Sequence, residues 1–425
     1  MKNVIVGIGM LVLLAVTGIA HATTEWSAQD YDLYSGDFNG DGKSDILYIA
    51  KNPNMPSGIA TSDSTGAPNT AWQSWGSNYL GINWSANAYN VIVADFNGDG
   101  KADIFLQSKA PGGNSYLLLT SSAGLVVSIT QTITSGTLGL TWSADQQHLI
   151  AGAFGGLVNG IPKAGLFLQA TSPQGTNYVV LTDANGQFTV APVQSWTDGF
   201  LGFKWSTQNA NVFAGDFNGD GRTDLLLQAK PNFIIINYDV PFPIPTYPLN
   251  MNGVVLAQAG SPIFTAAGVQ TWSRISNGVD WSPLTNNVII GTTGTGQAVV
   301  ILQAKYSGNT SYELVGSAIA SASASTSSAI FPSSATALSS NVSLSADTYQ
   351  LIAGNYGGGS GVGLYYQALT SAGTNYVTDS VAATTTAAVQ NPTTVTRTVE
   401  AASVGRTVGQ FGVSTTGSAQ YTIPI

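Results

Sequence analysis

The chain has 425 residues, enough for about three domains of roughly 150 residues, although β-rich repeat folds often run longer as a single unit. Only 8% of the residues are charged, against about 25% in an ordinary soluble protein, while 44% are apolar and 49 are glycine; this excludes an acidic disordered chain and a coiled coil. Thirteen Lys and Arg stand against 22 Asp and Glu, for a net charge of -9, so there is no basic surface to neutralise phosphates and nucleic acid is not expected as a partner.

At the amino terminus Lys2 precedes an apolar run from Val4 to Ile19, followed by the small residues of Ala20-His21-Ala22. This pattern reads as a secretory signal, residues 1–22, cleaved near Ala22, which makes the mature chain secreted: extracellular, at the cell surface or periplasmic. Gly7, Gly9, Thr17 and Gly18 weaken the rival reading of a membrane anchor, and no later stretch is long and apolar enough to span a membrane in the mature chain. Export often goes with disulfides, yet cysteine is absent, so any cross-link beyond the core would have to come from something else, such as metal.

From residue 26 the chain repeats. Trp26-Ser27-Ala28 to Asp37, Trp84-Ser85-Ala86 to Asp95, Trp142-Ser143-Ala144 to Ala153, Trp205-Ser206-Thr207 to Asp216 and Trp281-Ser282-Pro283 to Thr292 share an offset of 11 residues, and Leu344-Ser345-Ala346 to Asn355 keeps it without the Trp. Each unit runs through a short β-type segment such as NVIVAD, a Gly-rich turn, a second such as DIFLQS, a third (114–124 and 176–186) and a fourth ending in Trp75, Trp196 or Trp272. Helical periodicity is absent. Four short strands per unit of about 60 residues predict an all-β propeller over residues 23–390, with six four-stranded blades, or seven if the region after residue 390 completes another. The tryptophans are expected to be packing anchors between blades.

The turns of the first, second and fourth units read D-F-N-G-D-G-[KR]-x-D and hold nine of the 22 acidic residues. Carboxylates at positions 1, 5 and 9 (Asp37, Asp41, Asp45; Asp95, Asp99, Asp103; Asp216, Asp220, Asp224), the Asn carbonyl at position 3 (Asn39, Asn97, Asn218) and the backbone carbonyl at position 7 (Lys43, Lys101, Arg222) supply the hard oxygen ligands that Ca²⁺ takes. About three Ca²⁺ ions are expected. Position 12 is Tyr48, Leu106 or Leu227 instead of Glu, and strands flank the loop, so these are hairpin loops and not EF-hands. The matching stretches of the other units, Ala153-Phe154-Gly155-Gly156, Thr292-Thr293-Gly294-Thr295 and Asn355-Tyr356-Gly357-Gly358, lack the acids and are expected to bind no calcium tightly.

The D-F-N-G-D-G-K-x-D loop followed by an apolar strand resembles the FG-GAP/VCBS repeat of integrin α-type propellers and of many secreted bacterial proteins. The resemblance covers roughly residues 26–390, is specific in three units and degenerate in three. It implies a calcium-bearing propeller used for adhesion, carbohydrate binding or scaffolding, with a cell-surface protein or glycan as partner; the fold alone does not choose among them.

Nothing in the sequence supplies a catalytic constellation. His148, the one histidine beyond the leader, sits where other units place Asp32, Asn90, Asn211, Asn287 and Gln350, and reads as one more polar residue opening the first strand. No G-x-S-x-G, H-E-x-x-H or phosphate-cradling loop is present. The chain is therefore expected to be non-enzymatic; the alternative is a polysaccharide-degrading propeller whose aromatic side chains stack on sugars.

Two segments break the pattern before the tail. The proline-rich stretch 239–248 lengthens the fourth unit and excludes a regular central strand, leaving an insertion between strands or an exposed loop for a partner. Between residues 317 and 345 the chain turns Ser/Ala-rich. Residues 391–425 read as a Thr-rich linker and a hairpin turning at Thr415 to Ser418. The F-x-V-S-x-x-G-x-A-x-Y-x-I-P-I run there resembles the start of the shell of SpvB/Rhs-type toxins, which implies a toxin-shell partner, against the simpler reading of an ordinary terminal hairpin.

Overall fold

The computed structural model describes residues 31–63, 68–126, 128–234, 244–246, 252–260, 263–317, 329–332, 334–338, 343–356, 361–369, 375–378, 395–397, 410–413 and 419–422. The leader, Trp26-Ser27-Ala28, most of the proline-rich stretch, most of the Ser/Ala-rich segment and most of the tail lie outside them.

The described residues form an all-β propeller of four-stranded antiparallel sheets, with no α-helix among them. Blade 1 consists of Tyr31–Gly36, Asp45–Ala50, Ser57–Ser62 and Pro68–Trp75, and blade 2 of Tyr89–Ala94, Asp103–Ser108, Ser115–Leu118 and Gln131–Ile133. Blade 3 is Gln147–Gly152, Gly165–Ala170, Asn177–Val180 and Gln194–Trp196; blade 4 is Ala210–Gly215, Asp224–Ala229, Asn252–Ala257 and Phe264–Trp272. Asn286–Thr292, Ala298–Ala304, Tyr312–Val315 and Thr336–Ala337 make blade 5, and Tyr349–Gly354, Gly363–Ala368, Asn375–Thr378 and Val395–Arg397 make blade 6. The first strands line the axis, each beside the next, with Tyr349–Gly354 returning to Tyr31–Gly36.

The ends of the chain depart from the expected boundary at residue 390. Val395–Arg397 pairs with Asn375–Val377 as the fourth strand of blade 6, so the propeller runs past that point. Gln410–Val413 and Ala419–Thr422 pair with each other, and their backbone lies against the inner strands of blades 1, 2, 5 and 6; no seventh four-stranded sheet is present among the described residues. In blade 4 the proline-rich insertion contributes Ile244–Thr246, which pairs with Asn232–Ile234 as a two-stranded hairpin outside the blade.

Inner strands are apolar along nearly their whole length because neighbouring blades cover both faces. Every residue of Asp45–Ala50, Asp103–Ser108, Gly165–Ala170 and Asp224–Ala229 is buried. Five hydrophobic clusters fill the interfaces, and one of them runs through blade 1 from blade 2 to blade 6. Trp84, Trp142, Trp205 and Trp281 are fully buried, and three of them meet the tryptophan that ends the preceding fourth strand: Trp75–Trp84, Trp196–Trp205 and Trp272–Trp281 have ring centroids 4.8, 5.1 and 4.9 Å apart. The indole N–H of Trp84, Trp142 and Trp205 donates to the carbonyl of Tyr79, Thr137 and Phe200 at 2.8–2.9 Å, closing a tight turn whose central leucine has φ between 53° and 57°. Their buried aromatic area makes these tryptophans packing anchors, although the indole N–H of Trp281, like those of Trp75, Trp196 and Trp272, has no partner among the described residues.

Two further devices join the blades. Second-strand glutamines reach into the next blade: Gln107 Nε2 donates to the carbonyls of Trp142 and Gln147, Gln169 Nε2 to those of Trp205 and Ala210, Gln228 Nε2 to those of Trp281 and Asn286, and Gln303 Nε2 to that of Tyr349. At the opposite end of the strands, the amides of Ala102, Ala164, Thr223 and Ala298 donate to the carbonyls of Asp37, Asp95, Ala153 and Asp216, and Ser44 N donates to Asn355 O at 3.1 Å across the seam between blades 1 and 6. Such close approach requires glycine at the end of the first strand. A Cβ on Gly36 would lie 2.6 Å from Val93 Cγ1, and one on Gly152 2.5 Å from Thr223 Cγ2.

Two outcomes follow for stability. Trp205→Ala removes a fully buried ring packed on Phe167, Trp196 and Phe203, and lowers the unfolding free energy by about 3–5 kcal/mol in urea titration. Glu313, buried in the third strand of blade 5, is pushed up to about 7 by loss of solvent. A carboxyl whose folded pKa is raised contributes its stability below the unfolded value of about 4.3 and loses it as pH rises through 7. Glu313→Gln therefore raises the melting temperature at pH 8, by an amount equivalent to on the order of 2–3 kcal/mol, and leaves it unchanged at pH 4.

Candidate metal-binding loops

The three Asp-rich loops join the first and second strands of blades 1, 2 and 4, all at one end of the propeller, and share one local geometry. Glycines at positions 4 and 6 take left-handed backbone: Gly40 and Gly42 have φ of 77° and 84°, Gly98 and Gly100 of 77° and 86°, Gly219 and Gly221 of 76° and 81°. That turn aims successive amides at the carboxylate of position 1. Asp37 accepts from the amides of Gly40, Asp41 and Gly42, Asp95 from Gly98, Asp99 and Gly100, and Asp216 from Gly219, Asp220 and Gly221, at 2.6–3.2 Å.

Positions 3 and 5 turn toward the loop as well. Asn39, Asn97 and Asn218 Oδ1 accept the amides of Asp41, Asp99 and Asp220, while Asp41, Asp99 and Asp220 Oδ1 accept those of Lys43, Lys101 and Arg222. Asp41 and Asp99 are exposed; the blade 4 loop is deeper, with Asp216 and Asn218 buried. The side chains of position 7 point away from the carboxylates: Arg222 Nη1 donates to Gly155 O at 3.1 Å, and Lys101 lies over Gly40 of the neighbouring loop.

Position 9 behaves differently from the exposed acids. Asp45, Asp103 and Asp224 are fully buried at the start of the second strand. One carboxylate oxygen accepts the amide of Phe38, Phe96 or Phe217, and the other accepts that of Ser62, Thr120 or Ala257, at or just past the end of the third strand. Burial is the main cause that pushes Asp45 up to about 7, Asp103 to about 8 and Asp224 well above the ordinary carboxylate range. The charges of Asp37, of Asp95 and Asp99, and of Asp216 and Asp220 add to that rise. Asp37, Asp95 and Asp216 are themselves raised, first by burial and then by the acid at position 5.

The donor set therefore fits a hard cation in its chemistry: oxygen ligands in one loop, mutually destabilising, with no basic side chain paired to them among the described residues, whose ion pairs are Lys51–Asp32 and Arg274–Asp280. Its arrangement is that of a loop satisfied by its own amides, and among the described residues no three acidic or histidine side chains gather around one point.

The aromatic at position 2 was not singled out by the sequence, yet it is the most constant element of these turns. Phe38, Phe96, Phe154, Phe217 and Tyr356 are fully buried in five blades, whether the acids are kept or lost. In blade 3 the loop becomes a short hairpin, Leu157–Val158 with Ile161–Pro162, and in blade 5 a tight turn in which Thr293 N donates to Gln297 O. Residues 357–360 of the blade 6 turn lie outside the described residues. His148 falls where expected, second in the first strand of blade 3 and opposite Gln169.

Asp103→Ala, measured in a chelator, strands the buried amides of Phe96 and Thr120 and costs about 2–4 kcal/mol of unfolding free energy. Asp99→Ala under the same conditions costs under about 1 kcal/mol, since it loses an exposed acceptor only.

No helix among the described residues is long and apolar enough to cross a membrane. No curated protein matches the chain. A solved structure of a lectin from Agrocybe aegerita, described as recognising non-reducing terminal N-acetylglucosamine, aligns over 84% of this chain and 78% of its own, with 15% identity and a TM-score of 0.46. Residues 37–106, which span the first two Asp-rich loops and the strands between them, match the model of the FG-GAP-like repeat family.

Proposed function

We propose that this chain is an exported, non-enzymatic recognition propeller whose three Asp-rich loops take Ca²⁺. The observation that carries the reading is the threefold recurrence of one oxygen-rich loop, with the same hydrogen bonds and left-handed glycines, at one end of blades 1, 2 and 4. Asp37, Asn39, Asp41, the carbonyl of Lys43 and Asp45 would hold the first ion, with Asp95 to Asp103 and Asp216 to Asp224 supplying the same positions for the others. The cation would neutralise carboxylates that burial and mutual repulsion now disfavour, and would tie the loop to both inner strands. The FG-GAP-like match of residues 37–106 supports it.

The partner class is a surface glycan or protein. The blade ends present short loops on a rigid scaffold, the arrangement from which binding surfaces are built. Export after cleavage near Ala22 belongs to the same reading and is read by amino-terminal sequencing of the secreted chain.

Calcium is tested by melting the full chain in chelator and in Ca²⁺. The expected result is a rise equivalent to about 2.7 kcal/mol per site when the ion exceeds its Kd about a hundredfold, abolished in the triple variant Asp41→Ala, Asp99→Ala, Asp220→Ala. Identical melting curves with and without Ca²⁺ would overturn the metal assignment. Incubation with a polysaccharide panel checks the class of activity: retention without release of new chain ends is expected, and turnover would replace the binder with an enzyme.

A further inference from the structure

At the end of the propeller opposite the Asp-rich loops, the residue following the second strand is lysine in four blades: Lys51, Lys109, Lys230 and Lys305. In a chain with only 13 basic residues this concentration needs an electrostatic account. Blade 1 contains one. Lys51 pairs with Asp32 at 2.9 Å, and Lys109 lies in the field of the same carboxylate. Asp32 is the second residue of its first strand, and the equivalent residues elsewhere are Asn90, His148, Asn211, Asn287 and Gln350, none of them acidic. The other two lysines therefore have no counterpart to Asp32.

Lys230 and Lys305 line one cleft of about 270 Å³ between the first-strand ends of blades 3, 4 and 5, together with His148, Asn211 and Asn287, and no carboxylate contributes to its wall. Both lysines are partly buried, and loss of solvent lowers the pKa of each. His148 is held down to about 4 by burial and by Lys230, so at neutral pH the imidazole is uncharged and can donate or accept. Lys230 Nζ is steadied by Thr207 O at 2.6 Å, and Asn211 Nδ2 by Gln228 Oε1 at 2.9 Å, which leaves the Asn211 carbonyl turned to other use.

Two desolvated cations facing one small cleft without an anion are costly in an isolated chain and become favourable when a ligand brings the anion. We propose that this cleft binds the carboxylate of a sugar acid, with Lys230 and Lys305 on the carboxylate and His148, Asn211 and Asn287 on the hydroxyls. A cleft of this size admits one monosaccharide unit. The ligand class rests on the recognition reading above, but the site itself is independent of the Asp-rich loops.

Titration calorimetry of the full chain in chelator, with glucuronate, a glucuronate-terminated disaccharide and glucose as probes, tests the site. Glucuronate should bind and glucose should not. Lys230→Gln with Lys305→Gln should weaken binding at least about tenfold, whereas Lys163→Gln with Lys204→Gln, the same change in net charge elsewhere, should leave it within about twofold. Equal affinity for monomer and disaccharide identifies a free sugar acid, and tighter binding of the disaccharide identifies a glycan; either supports the site. Absence of glucuronate binding, equal binding of glucose, or indifference to the Lys230 and Lys305 changes would overturn it. Retention of neutral glycans by both the parent and the double variant would leave the recognition reading intact while removing this one.

Discussion

Packing sheets side by side around an axis forces the ends of inner strands into the interfaces, and the polar groups stranded there must find partners inside the protein. The second-strand glutamine answers that constraint. In blades 2 to 4 its carboxamide donates across the interface to the carbonyl of the next blade's tryptophan and to the start of the next first strand, and in blade 5 to the start of the next first strand alone. A buried carbonyl left without a donor costs about 1–3 kcal/mol, so one side chain holds the tryptophan, the inner strand and the neighbouring blade in register together. Blade 1 carries Ile49 at this position, opposite Asp32, whose carboxylate pairs with Lys51 of the same blade.

The two ends of the strands solve the problem of charge in different ways. At one end, acids are concentrated and wrapped in backbone amides, with those of position 9 buried. At the other, lysines follow the second strands, and among the described residues Lys51 of blade 1 is the one of them that forms an ion pair. A modest net charge of -9 thus conceals an uneven distribution, with nine of the 22 acidic residues in three loops at one end.

The blade rhythm was legible because Trp-Ser-Ala and the Asp-rich turn recur at one offset, and both are tied to backbone geometry: the indole closes a turn and the glycines take left-handed φ. The position 9 acids were legible as oxygen donors but not as the brackets between loop and third strand that they are, since Ser62, Thr120 and Ala257 share no residue type. Gln107, Gln169, Gln228 and Gln303 were equally regular in the sequence, yet a polar residue ending an apolar run looks like a strand terminus until the neighbouring blade is in place. The boundary at residue 390 failed for a related reason: Val395–Arg397 is too short to announce itself, and its strand character comes from pairing with Asn375–Val377.

Each blade here is one continuous stretch of chain, and among the described residues no sheet takes strands from both the first blade and the last. Their seam depends on Ser44, which donates to Asn355 O and accepts Asn355 N at 3.0 Å, and on Asn355 Nδ2 reaching Gly42 O across 313 positions of sequence. Blades can form one after another as the polypeptide emerges, but the ring becomes a ring only when blades 1 and 6 dock, a contact of very high order. Until then the faces of blades 1 and 6 are bare, and a second copy offers the same complementary surfaces at any concentration that outpaces closure. The seam is accordingly where this architecture is open to chain exchange, to circular permutation and to the gain or loss of a blade.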